Sequence, residues 1–335
     1  MSAAIQAWSQ FFVCLVVIAV AGARLVHYGD ALGALTGLSR NWVGLVLVAT
    51  VTSLPELVTG FSAVTVAAAP DIAIGDALGS CVFNLVTLSI ADLLHRQGSI
   101  YSQASHGHVL SAAFGVVLLG VAGLAILMPA SFLVPAAGHV GAGSIVLLGL
   151  YLVAMRTIFR QEQRSLPVAR PEAHAGMTLR QALAGYAFTG AAIMAAGVWL
   201  PMVGVQLATA MGWSNSFVGT LLVAFATSAP ELATTLAALR IGAVDLAFGN
   251  LLGSNLFDLL IVAIDDIAYL PGPIFAAVGS THAISALVAS VMSGAVVVAL
   301  VYRPATRVLR TMNWVSISLV GLYLVNALIQ YRHGR

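Results

Sequence analysis

The sequence predicts an all-α polytopic membrane protein: ten transmembrane helices forming two inverted-topology five-helix repeats, with a broken helix in each. Three observations carry this. Of 335 residues, 60% are hydrophobic and only 8% charged, whereas soluble domains carry roughly a quarter charged residues. Apolar runs longer than about 18 residues recur, each able to cross a ~30 Å hydrocarbon layer. A pair of polar motifs buried within those runs occurs twice, once in each half of the chain.

The runs fall at roughly 9–28, 42–69, 72–94, 108–128, 132–155, 183–203, 216–239, 244–264, 275–300 and 312–330. They read as helices because backbone groups in lipid must be satisfied within the segment, which an open strand edge cannot do. The first run has no positive charge ahead of it, and Arg24, the first charged residue, falls near its end. A cleaved signal peptide is built the other way round, so 9–28 is expected to span, with its start outside. Trp8, Trp42, Trp199, Trp213 and Trp314 fall near run ends, where the indole ring suits the membrane interface.

All fourteen basic residues are arginine, and against 12 acids they leave a net charge of +2. Their placement speaks of topology rather than nucleic acid. With the start outside, inner segments hold Arg24, Arg40, Arg96, Arg156, Arg160, Arg164, Arg170, Arg180, Arg240, Arg303, Arg307 and Arg310, and only Arg332 and Arg335 lie outside. The positive-inside rule favours this orientation, with both termini outside. The polar break from Arg156 to Arg180 reads as a cytoplasmic linker. It divides a first half, 1–155, from a second, 181–335. Cys14 and Cys81 lie in apolar runs and suggest neither disulfide nor zinc spacing; the eight histidines form no ligand cluster.

The repeat is explicit. Gly37, Ser39, Val43, Gly44, Ala49, Thr52, Ser53, Pro55, Glu56 and Leu57 match the residues 175 positions later, and Asp71, Gly75, Leu78, Gly79, Ser80, Phe83 and Leu85 those 174 later. An odd number of spans per half turns the copies opposite ways, so Glu56 sits on a helix running outward and Glu231 on one running inward. Inverted repeats of this kind place substrate sites at mid-membrane, on broken helices.

Each copy carries the same chemistry. Pro55 has no N–H and crowds the preceding turn, freeing the carbonyl near Val51; Pro230 does the same near Ala226. Thr52-Ser53 and Thr227-Ser228 stand at the breaks. A carboxylate, hydroxyls and loose carbonyls on one turn are the hard oxygen donors that sodium and calcium take, calcium accepting about 6–8 oxygens. Ser80 and Asn84 share a helix face, as do Ser254 and Asp258. Gly75, Gly79, Gly249 and Gly253 let helices approach closely. The assembled set is Glu56, Glu231 and Asp258 as charges, Asn84 as a neutral donor, and Thr52, Ser53, Thr227, Ser228, Ser80 and Ser254. Carboxylates in a low-dielectric cavity repel unless cations or protons compensate, so an empty site resists occlusion and transport becomes exchange.

Thr-Ser-x-Pro-Glu paired with Gly-Ser-x-x-Phe-Asn/Asp, present twice, resembles the alpha repeats of the calcium/cation antiporter superfamily, and most of all prokaryotic sodium/calcium exchangers. The resemblance implies Glu56 and Glu231 as central calcium and sodium ligands. It implies that Ser53, Ser80, Ser228, Ser254, Asn84 and Asp258 flank them, and that Thr52 and Thr227 contribute through their carbonyls. Asp76 and Cys81 depart from the pattern, standing where the second copy has Asn250 and Asn255. Asp76 shares a face with Ser80 and Asn84, so it adds a charge to the site, lines its entrance or bonds a neighbouring helix end.

The expected function is calcium/sodium antiport across a prokaryotic cytoplasmic membrane. Proton-coupled antiport of a divalent ion and a cation channel lined by acids are the alternatives. No membrane-embedded Ser/His pair suggests a hydrolase, so no enzyme activity and no cofactor are expected, and the bound species are the transported cations. The partners are lipid and inorganic cations, with neither nucleic acid nor a protein partner indicated. Plainer roles exist for each polar residue: interhelical hydrogen bonds for the acids and Asn84, close packing for Ser80 and Ser254, backbone satisfaction for the hydroxyls at the breaks. Asp92 and Asp266 also repeat and read as solvated or helix-capping groups near opposite membrane faces.

Overall fold

The computed structural model describes residues 3–36, 49–95, 98–128, 135–162, 177–304 and 312–333. The part of the second predicted span before residue 49 lies outside them. So do Gly37, Ser39, Val43 and Gly44 of the repeat, Trp42, and Arg40, Arg96, Arg164, Arg170, Arg307, Arg310 and Arg335. Among the described residues, eight helices are long and apolar enough to cross a membrane, and a bent pair at Asn215–Thr227 and Ala229–Arg240 makes a ninth.

Helix α1 (Ala3–Thr36) is followed by the short α2 (Ala49–Thr52) and by α3 (Leu54–Thr65). Next come α4 (Pro70–Leu94), α5 (Ile100–Gln103) and α6 (Gly107–Leu127). Strands β1 (Pro135–Ala137) and β2 (Val140–Gly141) form a small antiparallel hairpin ahead of α7 (Ala142–Glu162). The second half opens with α8 (Leu179–Met211), then α9 (Asn215–Phe217), a π-helical stretch Val218–Val223, α10 (Ala224–Thr227) and α11 (Ala229–Arg240). It closes with α12 (Val244–Ala268), α13 (Ile274–Ala277), α14 (Thr281–Tyr302) and α15 (Trp314–His333).

Several expectations are corrected. The fold is nearly, not purely, helical, because the described part of the 132–155 run opens at Pro135 with the β1–β2 hairpin and turns helical only at Ala142. The 275–300 run is likewise divided between α13 and α14. The break expected from Arg156 is helical as far as Glu162, and α8 starts behind a capping box in which Thr178 and Gln181 satisfy each other's backbone N–H groups.

Helices α4 and α12 pack together at the centre. Their apolar windows are 83% and 72% buried, against 33% for α1 and 22% for α7. The outer helices turn Phe12, Leu124, Leu152 and Phe188 outward. Apolar side chains exposed around a whole bundle are what a hydrocarbon solvent requires. Around the central pair, α1 lies along α8 and α6 along α14. Asp92 and Asp266 are buried caps rather than solvated groups. Asp92 accepts from the Ile100 N–H (3.2 Å), the Asn313 N–H (2.9 Å) and the Ser316 hydroxyl (2.8 Å); Asp266 accepts from the N–H groups of Gly141 (2.8 Å) and Ile274 (2.6 Å). Ile274 lies 174 positions after Ile100, so the two halves tie off their loops alike.

Candidate functional site

The site begins with two interruptions of the helical backbone. Ser53 separates α2 from α3 with φ −87° and ψ 12°; Ser228 separates α10 from α11 with φ −82° and ψ 8°. The second interruption bends its helix by 43°. Pro55 and Pro230 each sit in the first turn of the following helix, where a missing N–H costs nothing because that turn's donors have no intrahelical partner. Behind Pro55 the carbonyl of Val51 loses its i+4 donor, and behind Pro230 that of Ala226. Glu56 and Glu231 lie in the same first turns, where the positive end of the helix dipole favours a negative charge.

All eleven residues singled out by sequence are at most 1% exposed, and most are joined across the halves by reciprocal bonds. Ser53 of the first half donates to Glu231 Oε1 (3.2 Å), and Ser228 of the second donates to Glu56 Oε1 (3.1 Å). Ser228 also donates to Ser80 Oγ (2.9 Å), while Ser254 donates to Glu231 Oε1 (3.4 Å). Thr52 donates to Asn250 Oδ1 (3.3 Å), and Thr227 to Asp76 Oδ1 (2.8 Å). Asp76 is therefore bonded to this cluster across the halves. Asn84 is buried beside this set, and neither end of its amide finds a hydrogen-bond partner among the described residues.

Two further residues were visible to sequence only as mismatches between the copies. Asn250 holds Thr52 and also donates to the Glu231 carbonyl (3.2 Å) and Thr235 Oγ1 (3.3 Å). Asn255 donates to the Cys81 carbonyl (3.2 Å), and the Cys81 thiol donates to Asp258 Oδ2 at 3.8 Å. Cys81 thus supplies an acid of the opposite half with a weak donor.

The glycines explain how the helices come this near. A Cβ on Gly79 would strike the carbonyl oxygen of Thr220 and lie 2.8 Å from Ala224 Cβ; one on Gly75 would lie 2.9 Å from Thr220 N. So α4 rests directly on the π-helical stretch, whose widened turn is a frequent mark of functional positions. Among the described residues Gly249 has only ordinary contact, with His108 at 3.8 Å.

Glu56, Asp76, Glu231 and Asp258 repel one another through this low-dielectric interior. One oxygen of each, Glu56 Oε2, Asp76 Oδ2, Glu231 Oε2 and Asp258 Oδ1, has no hydrogen-bond donor among the described residues. A buried charged oxygen without a partner is strongly disfavoured, so these atoms call for cations. Among the described residues, no three His, Cys, Asp or Glu side chains stand close enough together to hold one metal ion. Hydroxyls and carbonyls must therefore supply much of any ligand set. The chemistry available is the binding of hard cations by oxygen.

The family profile described as sodium/calcium exchanger protein matches residues 6–160 and 182–332. The putative antiporter CaxA of Alkalimonas amylolytica is 27% identical over 270 residues, covering 78% of this chain and 81% of that protein. Inner membrane protein YrbG of Escherichia coli (strain K12) is 28% identical over 254 residues, covering 74% and 75%. Among solved structures, the sodium-calcium exchanger NCX_Mj soaked with Na+ and Ca2+ superposes with a TM-score of 0.62 at 22% identity, over 97% of this chain and 98% of that one. The fold is shared across the whole of both chains.

Proposed function

Because this chain belongs to the sodium/calcium exchanger family, we propose that it is a secondary antiporter exchanging Ca2+ for Na+ across the membrane by alternating access. The observation that carries the reading is the reciprocal Ser53–Glu231 and Ser228–Glu56 bonding, which makes one centre out of two halves. In this reading the halves, 1–155 and 181–335, insert in opposite senses, the linker at 156–180 is cytoplasmic and both termini lie outside. Matching breaks at Ser53 and Ser228, each followed by a Pro-Glu pair in the next helix's first turn, support the repeat on which this arrangement rests.

Glu56 and Glu231 are the central ligands of calcium and sodium. Ser53, Ser80, Ser228, Ser254, Asn84 and Asp258 complete the coordination, with Thr52 and Thr227 giving their carbonyls. Calcium brings two charges to the paired glutamates and takes its remaining oxygens from neutral groups. Sodium ions neutralise the same acids one at a time, so each cation lifts the repulsion that holds the site open. The two loads compete for one set of donors, and that competition is what makes transport an exchange.

Asp76 favours a second reading, coupling to protons. It adds a carboxylate where the other half has the neutral Asn250, and a proton can neutralise it without displacing a metal ligand. Both readings are tested by calcium uptake into proteoliposomes under an imposed sodium gradient, a proton gradient, or neither. Uptake driven by the sodium gradient alone supports the first reading, and uptake driven by the proton gradient the second. Unsaturable flux indifferent to both gradients identifies a channel and overturns each.

A further inference from the structure

Asp265 is a buried carboxylate that the centre just described does not use. It is 0% exposed, and neither of its oxygens has a hydrogen-bond donor among the described residues. It lies two turns beyond Asp258 on the same face of α12, in that helix's last turn. Its carboxylate fills the space above Gly60 on α3, where an added Cβ would collide with Oδ2 and come within 3.0 Å of Cγ.

Three departures from the repeat meet at this point. The first-half counterpart of Asp265 is Ala91, and the second-half counterpart of Gly60 is Thr235. Thr235 Oγ1 accepts from Asn250, and Asn250 is the counterpart of Asp76. In the first half the threonine is gone, its place is taken by an acid from α12, and the amide has become a second acid. Asp76 lies within electrostatic reach of Asp265, and its Oδ2 is likewise without a donor.

The other ionisable groups on neighbouring helices are arranged as follows. On α3, Glu56 is one turn before Gly60 and is held by Ser228; on α11, Glu231 is held by Ser53. His108 of α6, paired with Asp245 (3.0 Å), and Arg240 of α11 belong to the start of α12, about 30 Å away at 1.5 Å per residue. Tyr151 is the first ionisable residue of α7, about 14 Å along a helix that starts beside Asp266. Among the described residues no basic side chain bonds Asp265: His139, at the β1–β2 turn, bonds the Ile267 carbonyl instead (2.8 Å), and a buried carboxylate cannot stay both charged and alone.

We propose that Asp265 is a further cation-binding residue, outside the Glu56/Glu231 centre, which takes one small monovalent cation, a proton or a sodium ion, across Gly60 from α3. Only one half has it, so the path from the centre toward the end of α12 carries a charge that the symmetry-related path lacks. The load neutralised in one transport cycle is then larger by one than the central ligands alone require. This rests on the antiporter reading for its role in transport, but not for the binding itself.

The test uses the full-length protein in calcium-free detergent, with Glu56→Gln, Glu231→Gln, Asp76→Asn and Asp258→Asn present so that the acids of the centre do not contribute. A ligand that binds the folded protein raises the thermal midpoint, the stabilisation growing as RT ln(1 + [L]/Kd) with its concentration. Midpoints are measured against sodium concentration at fixed pH, and against pH in sodium-free buffer. The expected result is that Asp265→Asn removes the midpoint shift in one arm, and that arm identifies the cation. Gly60→Thr with Asp265→Ala, which copies the Thr235/Ala91 arrangement of the other half, gives the same loss and serves if the single variant fails to fold. Identical sodium and pH responses with and without Asp265, or no response to either cation, overturn the proposal. Because no flux is measured, a failure of the antiport reading in proteoliposomes leaves this result standing or falling by itself.

Discussion

Glu56 and Glu231 each accept a hydroxyl proton from the opposite half and keep one oxygen without a donor. Asp76 interrupts that symmetry, since Thr227 bonds a carboxylate where Thr52 bonds the amide of Asn250. Asp76→Asn makes the two halves alike. It is expected to keep the Thr227 contact and alter the dependence of flux on the proton gradient, measured as calcium uptake at a series of pH values. An unaltered profile would confine Asp76 to a packing role. Ten of the eleven residues stood out because both copies carry nearly the same polar residues in apolar surroundings, where each is costly; Asp76 stood out as a mismatch on the face of Ser80 and Asn84. Asp265 did not, because its counterpart is Ala91 and nothing in the repeat points to it. Asn250 and Asn255 showed only as mismatches, since the sequence does not say what a neutral amide bonds.

At the scale of elements, the broken helices followed from Pro55 and Pro230, whose missing N–H groups reduce the ways the chain can pass Ser53 and Ser228. The edges of spans were less legible. Runs at 132 and 275 stay apolar through β1–β2 and α13, where Ile274 and Phe275 pack inside the protein, and hydropathy does not separate burial in protein from burial in lipid. Pro135 and Pro273 stand at those places and are the signal that could have moved the helix starts. The contact of α4 with the π-helical stretch depends on Gly79. Gly79→Val is expected to cost about 1–3 kcal/mol, the range for overpacking a filled interior. The check is the thermal midpoint in detergent beside that of Gly249→Val, which among the described residues meets only His108 at 3.8 Å and should fall less.

For the whole molecule, the count of arginines and the odd number of spans in each half predict a definite topology. Met211, at the end of α8, and Ile241, just past α11, are exposed and should lie on opposite sides of the membrane. In a background lacking Cys14 and Cys81, Met211→Cys is expected to react with an impermeant maleimide from outside intact cells and Ile241→Cys only after permeabilisation; the reverse pattern would invert the orientation. The central claim is narrower: acids from two halves bind one load together. Calorimetric calcium binding to the purified protein, to Glu56→Gln and to Glu231→Gln tests it most directly. Removing either charge from a shared buried centre is expected to cost about 3–5 kcal/mol, roughly 10²–10⁴-fold in affinity, with the variants equally folded. Calcium bound as tightly by either single variant as by the unaltered chain would contradict a shared site.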